Sequence, residues 1–368
     1  MKPAIVFGTR PEAIKMAPIV KELERRKIEH VIIVTAQHRE MLDQKLGDFN
    51  ITPTYDLNIM KPNQDLFHVT SAVIGQLKPV LLSEQPDVLL VQGDTTTTFA
   101  ASLAAFYLRI AVGHVEAGLR TWNKFNPFPE EINRQLTTRL ADFHFAPTPW
   151  ARENLLREGV PQESVHVTGN TVIDALLMIV DPDFAFTTKP LTSIDFRNRR
   201  VILLTSHRRE NFGEPMRGVF SACRELVEKN PDVELVYPVH PNPNVQAAAS
   251  EILSGVPRIH LIKPLDYRPF VQLMNKSYLI MTDSGGVQEE APTLGKPVLV
   301  LRTTTERPEA IEAGTGKLVG TDRETILREA QKLLSDRDAY RDMATRANPY
   351  GDGKSAARIV DILLSKLG

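Results

Sequence analysis

A short apolar run, then a polar turn, then a helical pattern recurs along this chain of 368 residues. The clearest copy joins the apolar run Tyr278–Met281 to the turn Thr282–Gly286, after which Val287–Ala291 favours a helix. Pro292 and Gly295 would end that helix. Such alternation is typical of βαβ units, and these units build a mainly parallel sheet.

Eight further apolar runs are predicted as strands, each ending near polar residues. They are Ala4–Phe7, Val31–Val34, Asp87–Val91, Ile110–Val115, Val201–Leu204, Leu235–Tyr237, His260–Ile262 and Pro297–Leu301. Helices are predicted over about Ala13–Arg26, from Gln37 onward, and over Ser355–Leu367. The polar, proline-bearing stretch 180–200 interrupts the alternation and is the best linker in the chain.

The length suggests two domains of roughly 150 residues or more each. We therefore expect an α/β protein with two Rossmann-like, doubly wound domains. The first spans residues 1–175 together with a C-terminal helix of about 354–368, and the second spans residues 176–353. In such sheets ligands bind outside the carboxyl ends of the strands. Polar residues follow those ends in both halves, which predicts one shared cleft: Arg10, Asp94, Glu116, His207, His240 and Ser284.

Composition excludes several classes of function. A net charge of −1 gives no sign of nucleic-acid or membrane binding. The single cysteine, Cys223, supports neither a disulfide framework nor a thiolate metal site and is expected to be buried. The N-terminal apolar run is too short for a signal peptide, so a cytoplasmic protein is expected. No Gly-x-Gly-x-x-Gly follows a strand, and Gly314–Lys317 lacks the spacing of a phosphate loop, so no cofactor is expected. No Cys/His ladder or His-Glu-x-x-His is present, so no metal is expected.

The turn Ser284-Gly285-Gly286 suits a phosphate, because adjacent glycines allow close backbone approach and helix N–H groups follow. Glu290 falls one turn into that helix, where a carboxylate can accept hydrogen bonds from a ribose diol. The alternative is an ordinary βα turn. The Ser284-Gly285-Gly286 turn and Glu290 together favour a nucleoside diphosphate as the ligand.

Three carboxylates and several cations are candidates for chemistry. Asp94 follows a strand-end glycine, and its alternative role is to cap the helix that starts at Thr95–Thr98. Glu116 has a similar position, and Glu130 could equally be a first-turn acid that interacts with the helix dipole. His207 and His240 could be ordinary loop histidines. The cations that could contact phosphates are Arg10, Lys15, His207, Arg302 and Arg307.

Several motifs, in order, resemble one known family over nearly the whole chain. They are Phe7-Gly8-Thr9-Arg10-Pro11-Glu12-Ala13, Gly93-Asp94-Thr95-Thr96-Thr97, His114-Val115-Glu116-Ala117-Gly118-Leu119-Arg120, His207-Arg208-Arg209-Glu210-Asn211, the Ser284-Gly285-Gly286 turn, Thr305-Glu306-Arg307-Pro308-Glu309 and Asn348-Pro349-Tyr350-Gly351-Asp352-Gly353. The family that they resemble is the bacterial non-hydrolysing UDP-N-acetylglucosamine 2-epimerases.

The resemblance implies a fold similar to GT-B glycosyltransferases, with the last helix crossing back to the first domain. It also implies interconversion of UDP-GlcNAc and UDP-ManNAc without a redox cofactor, in a homodimer that supplies ManNAc for surface polysaccharides. The positions that match the family's catalytic residues are Asp94, Glu116, Glu130 and His207. Those that match its substrate-binding residues are Arg10, Lys15, Leu265, Phe270, Ser284, Gly285, Gly286, Glu290 and Arg307.

The chemistry is consistent with this resemblance. The C2 proton is not next to a carbonyl, so loss of UDP from C1 must accompany its removal, through a glycal intermediate. The scheme requires cations on the leaving diphosphate and carboxylates near C1 and C2. Which carboxylate removes the C2 proton stays open. The alternatives are a GT-B glycosyltransferase, a non-catalytic UDP-sugar sensor, and a hydrolysing epimerase that releases UDP.

Some members of the family are activated by a second UDP-GlcNAc. Gln37, Arg209 and His240 fall where the resemblance would place that second site. The chain departs from the family pattern at two positions. Glu40 stands where some relatives have glutamine, and Gln92 replaces the histidine expected before Gly93-Asp94.

Overall fold

The computed structural model describes residues 1–35, 47–61, 64–305 and 307–368 of the chain. It divides into two compact units. Unit 1 comprises Met1–Met178 with Tyr350–Gly368, and unit 2 comprises Ile179–Pro349. Each unit is built on one parallel sheet with helices in the connections. The predicted α/β class, with two parallel-sheet domains, is therefore confirmed.

The strands of unit 1 are all parallel to one another. In chain order they are β1 Pro3–Phe7, β2 Val31–Val34, β3 Tyr55–Asp56, β4 Val88–Gln92, β5 Ala111–Val115, β6 Phe143–Ala146 and β7 Val165–Val167. In space the order is β3-β2-β1-β4-β5-β6-β7. Strand order reverses between β1 and β4, which is the switch point where doubly wound sheets bind ligands.

The helices of unit 1 connect these strands. They are α1 Arg10–Arg25, α2 Leu66–Glu84, α3 Thr96–Tyr107, α4 Glu130–Leu140, α5 Pro149–Arg157 and α6 Thr171–Ile179, whose last residue belongs to unit 2. Helix α1 begins three residues before the predicted Ala13. Thr9 and Glu12 form a capping box there, and Pro11 suits the first turn.

Unit 2 repeats the same strand order. Its strands are β8 Arg200–Thr205, β9 Val233–Pro238, β10 Ile259–Ile262, β11 Leu279–Thr282, β12 Val298–Val300 and β13 Gly316–Leu318. They lie parallel in the order β10-β9-β8-β11-β12-β13, so β8 and β11 flank the switch point. Its helices are α7 Glu214–Lys229, α8 Pro243–Leu253, α9 Tyr267–Lys276, α10 Gly285–Glu290, α11 Pro308–Glu312, α12 Arg323–Ser335 and α13 Arg337–Ala344.

Four strands of the structure were not predicted from the sequence: β3, β6, β7 and β13. Three of them are only two or three residues long, and β3, β7 and β13 are edge strands. Gly316 and Lys317, part of the rejected phosphate-loop fragment, belong to β13. Short edge strands carry too few residues to show a clear apolar run.

An apolar core of unit 2 lies between its sheet and helices α7, α8 and α12. Phe220 and Tyr237 pack there with ring centroids 5.4 Å apart. Cys223 is buried in the same cluster, as predicted, and burial raises the pKa of its thiol to about 12. A thiol with so high a pKa is not nucleophilic at neutral pH.

The last helix, α14 Ser355–Leu367, belongs to unit 1 although it follows all of unit 2 in the chain. Ile359, Val360 and Leu363 form its buried face. The Ala356 backbone N–H donates to the carboxylate of Asp174 at 2.9 Å, which anchors the first turn. The implied return of the final helix to the first domain is therefore confirmed.

One described helix, α2, is long and apolar enough by length and composition alone to cross a membrane. Its buried residues Val69, Val73, Leu77 and Leu81 belong to the apolar core of unit 1. Only 28% of the apolar window of α2 is buried, so these core contacts account for part of its apolar character.

Candidate functional site

The carboxyl ends of β1, β4 and β5 lie side by side in the sheet of unit 1. Gln92 pairs with Val115 in the register of β4 and β5, so Asp94 and Glu116 follow neighbouring strand ends. At the end of β1, a Cβ on Gly8 would lie 2.1 Å from Oγ1 of Thr35. Only glycine fits this turn, which brings the start of α1 close to the sheet.

Glu12 joins two of these turns. Its carboxylate accepts hydrogen bonds from the backbone N–H groups of Gly8 at 3.1 Å and Thr9 at 2.7 Å. It also accepts from the hydroxyls of Thr95 at 2.7 Å and Thr98 at 3.2 Å. Desolvation raises the pKa of Glu12, and these bonds oppose that rise. The sequence motif contained Glu12, but only the contacts identify its role in holding the turns.

Glu116 is held in a strained backbone conformation, with φ of 66°, which is rare for a residue other than glycine. Both of its carboxylate oxygens lie 2.6 Å from Nζ of Lys15. Gln92 Nε2 donates to the same carboxylate, and Asn170 Nδ2 donates at 3.2 Å. A buried carboxylate with a lysine and two amides around it is stabilised as an anion. Strain of this kind is concentrated at functional sites.

Asp94 forms an ion pair and does not cap helix α3. Its Oδ2 accepts from Arg134 Nε at 3.0 Å and Nη2 at 2.6 Å. The N-cap of α3 is Thr95, whose side chain accepts from the backbone N–H of Thr98. The capping alternative for Asp94 is therefore wrong, and its carboxylate is partly exposed beside a guanidinium.

The neighbouring residues Glu130 and Glu131 have different surroundings. Glu131 is fully buried and accepts hydrogen bonds from the backbone N–H groups of Thr121 at 2.9 Å and Trp122 at 3.2 Å. Glu130 is the first residue of α4, and its Oε2 is buried with no hydrogen-bond partner among the described residues. A buried, unpartnered oxygen is costly unless it serves a ligand or a proton transfer.

Arg10 and His114 are two further residues of unit 1, and they differ in exposure. Arg10 is exposed at the first position of α1, next to the Gly8 turn. His114 is completely buried, and its Nε2 lies 2.7 Å from the carbonyl oxygen of Gly93. Desolvation lowers the pKa of His114 to about 3, so the ring is neutral and supports the turn before Asp94.

In unit 2 the carboxyl ends of β8 and β11 carry the second group of predicted residues. Asp283, directly after β11, is fully buried and binds the loop that follows β8. Ser284 is the N-cap of α10 and makes no side-chain capping bond. The helix begins at Gly285, two residues earlier than predicted, because the glycine adopts helical geometry at once after the cap.

Two guanidinium groups flank the Ser284–Gly286 turn. A Cβ on Gly285 would lie 3.8 Å from Arg307 and 4.0 Å from Nη2 of Arg208. Arg307 Nε donates to the buried carboxylate of Glu289, and Arg208 Nε is buried without a hydrogen-bond partner in the described part of the chain. Like charges beside one glycine turn favour an anion such as phosphate. Arg208 is not among the residues predicted from the sequence, because only His207 and Arg209 were singled out from its motif.

Arg302, also a predicted phosphate contact, lies in an ion pair. Its Nε donates to the Glu210 carboxylate at 2.7 Å, and its side chain is largely buried. This pairing favours a structural role for Arg302, whereas Arg208 lies beside the glycine turn.

The remaining predicted nucleotide contacts lie near the start of α9. The Tyr267 hydroxyl donates to Oε2 of Glu290 at 3.1 Å. Phe270 is half-buried one turn further along α9, and Leu265 lines a cavity of about 680 Å³ at the end of β10. A carboxylate beside a half-buried ring could contact a ribose and a base.

His207 and His240 stack with ring centroids 5.3 Å apart and planes at 15°. Burial lowers the pKa of His207, the charge of Asp283 raises it, and the nearby His240 and Arg208 lower it further. Arg209 is exposed in a short 3-10 turn, Arg209–Asn211. Gln37 and Glu40 lie outside the described residues.

Among residues 1–35, 47–61, 64–305 and 307–368, no three or more histidine, cysteine, aspartate or glutamate side chains are grouped as metal ligands. The predicted site residues that the structure describes are divided between the two units. Unit 1 contains Arg10, Lys15, Asp94, Glu116 and Glu130. Unit 2 contains His207, Arg209, His240, Leu265, Phe270, Ser284, Gly285, Gly286, Glu290 and Arg307.

Comparison with known proteins identifies the family. The family model described as UDP-N-acetylglucosamine 2-epimerase matches residues 21–364. The UDP-N-acetylglucosamine 2-epimerase of Salmonella typhimurium is 55% identical over 371 residues, covering 99% of this chain and 99% of the relative. That of Bacillus subtilis is 55% identical over 369 residues, covering 100% and 96%.

Solved structures show the same likeness. The UDP-GlcNAc 2-epimerase of Neisseria meningitidis, solved bound to UDP-GlcNAc, superposes with a TM-score of 0.88 at 52% identity, covering 100% of both chains. Family model, relatives and structure all span nearly the full length. The chain therefore belongs to the UDP-N-acetylglucosamine 2-epimerase family, which is a family of isomerases with a GT-B-like fold.

Proposed function

We propose that this protein interconverts UDP-GlcNAc and UDP-ManNAc by eliminating UDP to 2-acetamidoglucal and adding it back. The observation that carries this proposal is the arrangement around Glu116. Glu116 has a left-handed backbone and a buried carboxylate with Lys15 at both oxygens, and it follows the strand that pairs with the one before Asp94. Full-length family membership supports the same activity.

The elimination step balances without an oxidant or reductant. The C1–O bond breaks, its electron pair leaves with the diphosphate, and a carboxylate takes the C2 proton while C1=C2 forms. On return, a proton reaches C2 from the opposite face and the diphosphate oxygen attacks C1. The product differs only at C2, so the net reaction is an isomerisation.

The leaving diphosphate requires positive charge that is already in place. In unit 2 we assign this role to Arg307, His207 and the Ser284–Gly286 turn, and we add Arg208 because its guanidinium lies beside Gly285. Arg10 and Lys15 are assigned to the substrate from unit 1. The uracil is assigned to Leu265 and Phe270. The ribose is assigned to Glu290, whose second partner is Tyr267.

The three carboxylates of unit 1 differ in how they are bound. Glu116 accepts from a lysine and two amides, and Asp94 is paired with Arg134. Glu130 has a buried oxygen without a hydrogen-bond partner among the described residues. A proton-transfer group needs a free lone pair. We therefore assign Glu130 to the C2 proton and Glu116 to stabilising positive charge near C1.

The test is incubation of the purified protein with UDP-GlcNAc in deuterated water, followed by proton NMR. We expect deuterium at C2 and a growing UDP-ManNAc signal. Unchanged UDP-GlcNAc, with no exchange from either epimer, would overturn the proposal. Net release of UDP with free ManNAc would instead indicate a hydrolysing enzyme, and a new glycoside with an added acceptor would indicate a transferase.

A homodimer is part of this proposal. Helices α2, α3 and α4 pack together in unit 1 and expose large apolar side chains: Leu66, Phe67, Leu82, Phe106, Tyr107 and Leu136. Phe67 is 85% exposed, which is unusual for a large apolar side chain of a monomer. Light scattering should give twice the mass of one chain, and Phe67→Glu with Tyr107→Glu should give the monomer mass.

We also propose that a second UDP-GlcNAc activates the enzyme through Gln37, Arg209 and His240, as the family resemblance implies. Arg209 is exposed and His240 lies against His207, so a ligand there could change the position of a residue assigned to catalysis. Initial rates from UDP-ManNAc alone should then rise when UDP-GlcNAc is added. A cytoplasmic location and supply of ManNAc for surface polysaccharides complete the proposal.

A further inference from the structure

Asp283 lies directly after β11 and is completely buried. Its Oδ2 accepts hydrogen bonds from the backbone N–H groups of His207 at 2.8 Å and Arg208 at 2.9 Å. It also accepts from the Ser206 hydroxyl and the Asn211 side-chain amide, each at 3.2 Å. Four donors from one loop therefore converge on one oxygen, which determines the path of the chain after β8.

The second oxygen of Asp283 has a different environment. Oδ1 is buried and makes no hydrogen bond with the described residues, but it lies 3.5 Å from Nδ1 of His207. The His207 ring stacks on His240, which limits its rotation. Hydrogen bonds in unliganded sites are often long and shorten when the ligand binds. A carboxylate next to one ring nitrogen determines which nitrogen carries the proton.

The loop is fixed on its other side as well. Tyr237 donates its hydroxyl to the carbonyl oxygen of Ser206 at 2.6 Å, and Asn211 Nδ2 donates to the carbonyl oxygen of Leu301 at 3.1 Å. Strand β9 is thus connected to the loop through the Tyr237 side chain, and the backbone directly after β12 is connected through the Asn211 side chain. Because these contacts hold the backbone of the loop, His207 can change only the orientation of its ring.

We infer that Asp283 is a positioning residue that holds the loop Ser206–Asn211 and orients His207 with Nδ1 toward its own carboxylate and Nε2 toward the ligand. The inference rests on the proposed function for the identity of the ligand, the leaving diphosphate. The orientation itself rests only on the contacts of Asp283. Within the described part of the chain, the charged and titratable groups that act electrostatically on His207 are Asp283, His240 and Arg208.

The experiment is NMR of the whole protein labelled with ¹⁵N-histidine, in which long-range couplings report the tautomer and titration reports the pKa of each ring. The His207 signal is identified by its loss in His207→Gln. In the wild type we expect neutral His207 to carry its proton on Nδ1. In Asp283→Asn we expect a mixed tautomer and a His207 pKa lower by about one unit, because a neighbouring negative charge is removed.

Kinetics provide the second readout. Asp283→Asn should lower kcat by about 10- to 100-fold, with a much smaller change in KM, as for other residues that orient a functional histidine. The matched control is Glu234→Gln, which breaks a carboxylate–histidine pair of 2.7 Å with His260 elsewhere in unit 2. That control should leave the His207 signal and kcat unchanged.

The inference is overturned if wild-type His207 carries its proton on Nε2, a result that needs no variant and so survives a failure of Asp283→Asn to fold. It is also overturned if folded Asp283→Asn keeps the wild-type tautomer and pKa. If neutral His207 carries its proton on Nδ1 but the protein shows no exchange at C2, the proposed function is overturned and the positioning role of Asp283 is supported.

Discussion

Nζ of Lys15 lies 2.6 Å from both carboxylate oxygens of Glu116, although 101 residues separate the two in the chain. The lysine side chain is 18% exposed and the glutamate side chain 5%. Each group therefore helps to compensate for burial of the other, together with the amides of Gln92 and Asn170 at Glu116. Removing only one partner of a buried ion pair strongly destabilises the protein, because the other charge stays buried.

We predict that Lys15→Met lowers the free energy of unfolding by about 3 kcal/mol, because Glu116 is then buried without its cation. The double variant Lys15→Met, Glu116→Gln should recover part of this loss, since the uncompensated charge is gone. Urea denaturation of the wild type, both single variants and the double variant measures the coupling. Strict additivity of the two single effects would contradict the prediction.

Glu130→Gln should lower kcat by about 10²- to 10⁴-fold, the usual effect of losing a general acid or base. Its melting temperature should change little, because Oε2 of Glu130 makes no hydrogen bond with described residues. The adjacent variant Glu131→Ala should show the opposite pattern, with a clear loss of stability. Equal losses of kcat and of stability in both variants would contradict the assignment of proton transfer to Glu130 and of a structural role to Glu131.

Arg208→Lys should weaken UDP binding by about 10-fold, because a guanidinium beside Gly285 is replaced by a point charge that cannot bind a phosphate through two N–H groups. The control is Arg224→Lys, which changes an exposed pair with Glu228 on helix α7. Isothermal titration with UDP compares the two variants. Unchanged UDP affinity in Arg208→Lys would remove Arg208 from the site.

Stability should fall as pH decreases from about 6.5 toward 3, partly because of His114. Burial lowers its folded pKa to about 3, from the usual histidine value of about 6.5. Between these values the unfolded chain binds a proton that the folded chain does not, so unfolding is favoured at the lower pH. His114→Asn should flatten this slope by about 1.4 kcal/mol per pH unit. Urea midpoints at several pH values measure it, and an unchanged slope would contradict the assignment.

Ile359→Ala on helix α14 should reduce the free energy of unfolding by about 2–4 kcal/mol, because a fully buried side chain is replaced by a cavity. Ser365→Ala, on the exposed side of the same helix, is the matched control and should have almost no effect. Denaturant unfolding followed by circular dichroism measures both. A loss near zero in Ile359→Ala would mean that the helix contributes little to unit 1.

The strands that were predicted from the sequence are mostly buried central strands, because their β-branched and apolar runs are long enough to stand out. Strands β7 and β13 were missed because an edge strand of three residues buries few side chains. Helix starts were placed late at Arg10 and at Gly285, since capping and glycine geometry determine them. The motifs did place Asp94 and Glu116 at strand ends, where the structure has them.

The sequence does not show which of two similar residues forms a given hydrogen bond. Glu130 and Glu131 are adjacent and chemically identical, yet only Glu131 accepts hydrogen bonds from the backbone of residues 121 and 122. Asp283 lies within the recognised turn, but its four donors come from a loop more than 70 residues earlier. Such pairings depend on the folded sheet and leave no local pattern in the chain.

The division of unit 1 into two chain segments has a consequence for biosynthesis. Tyr350–Gly368 completes that unit and follows unit 2 in the chain, so it is synthesised after unit 2. While the nascent chain grows, the surface of unit 1 that receives α14 has no covering helix, although all of unit 2 has already been synthesised. Unit 1 is therefore begun before unit 2 but completed after it, and its apolar contacts with α14 form only once unit 2 has been synthesised.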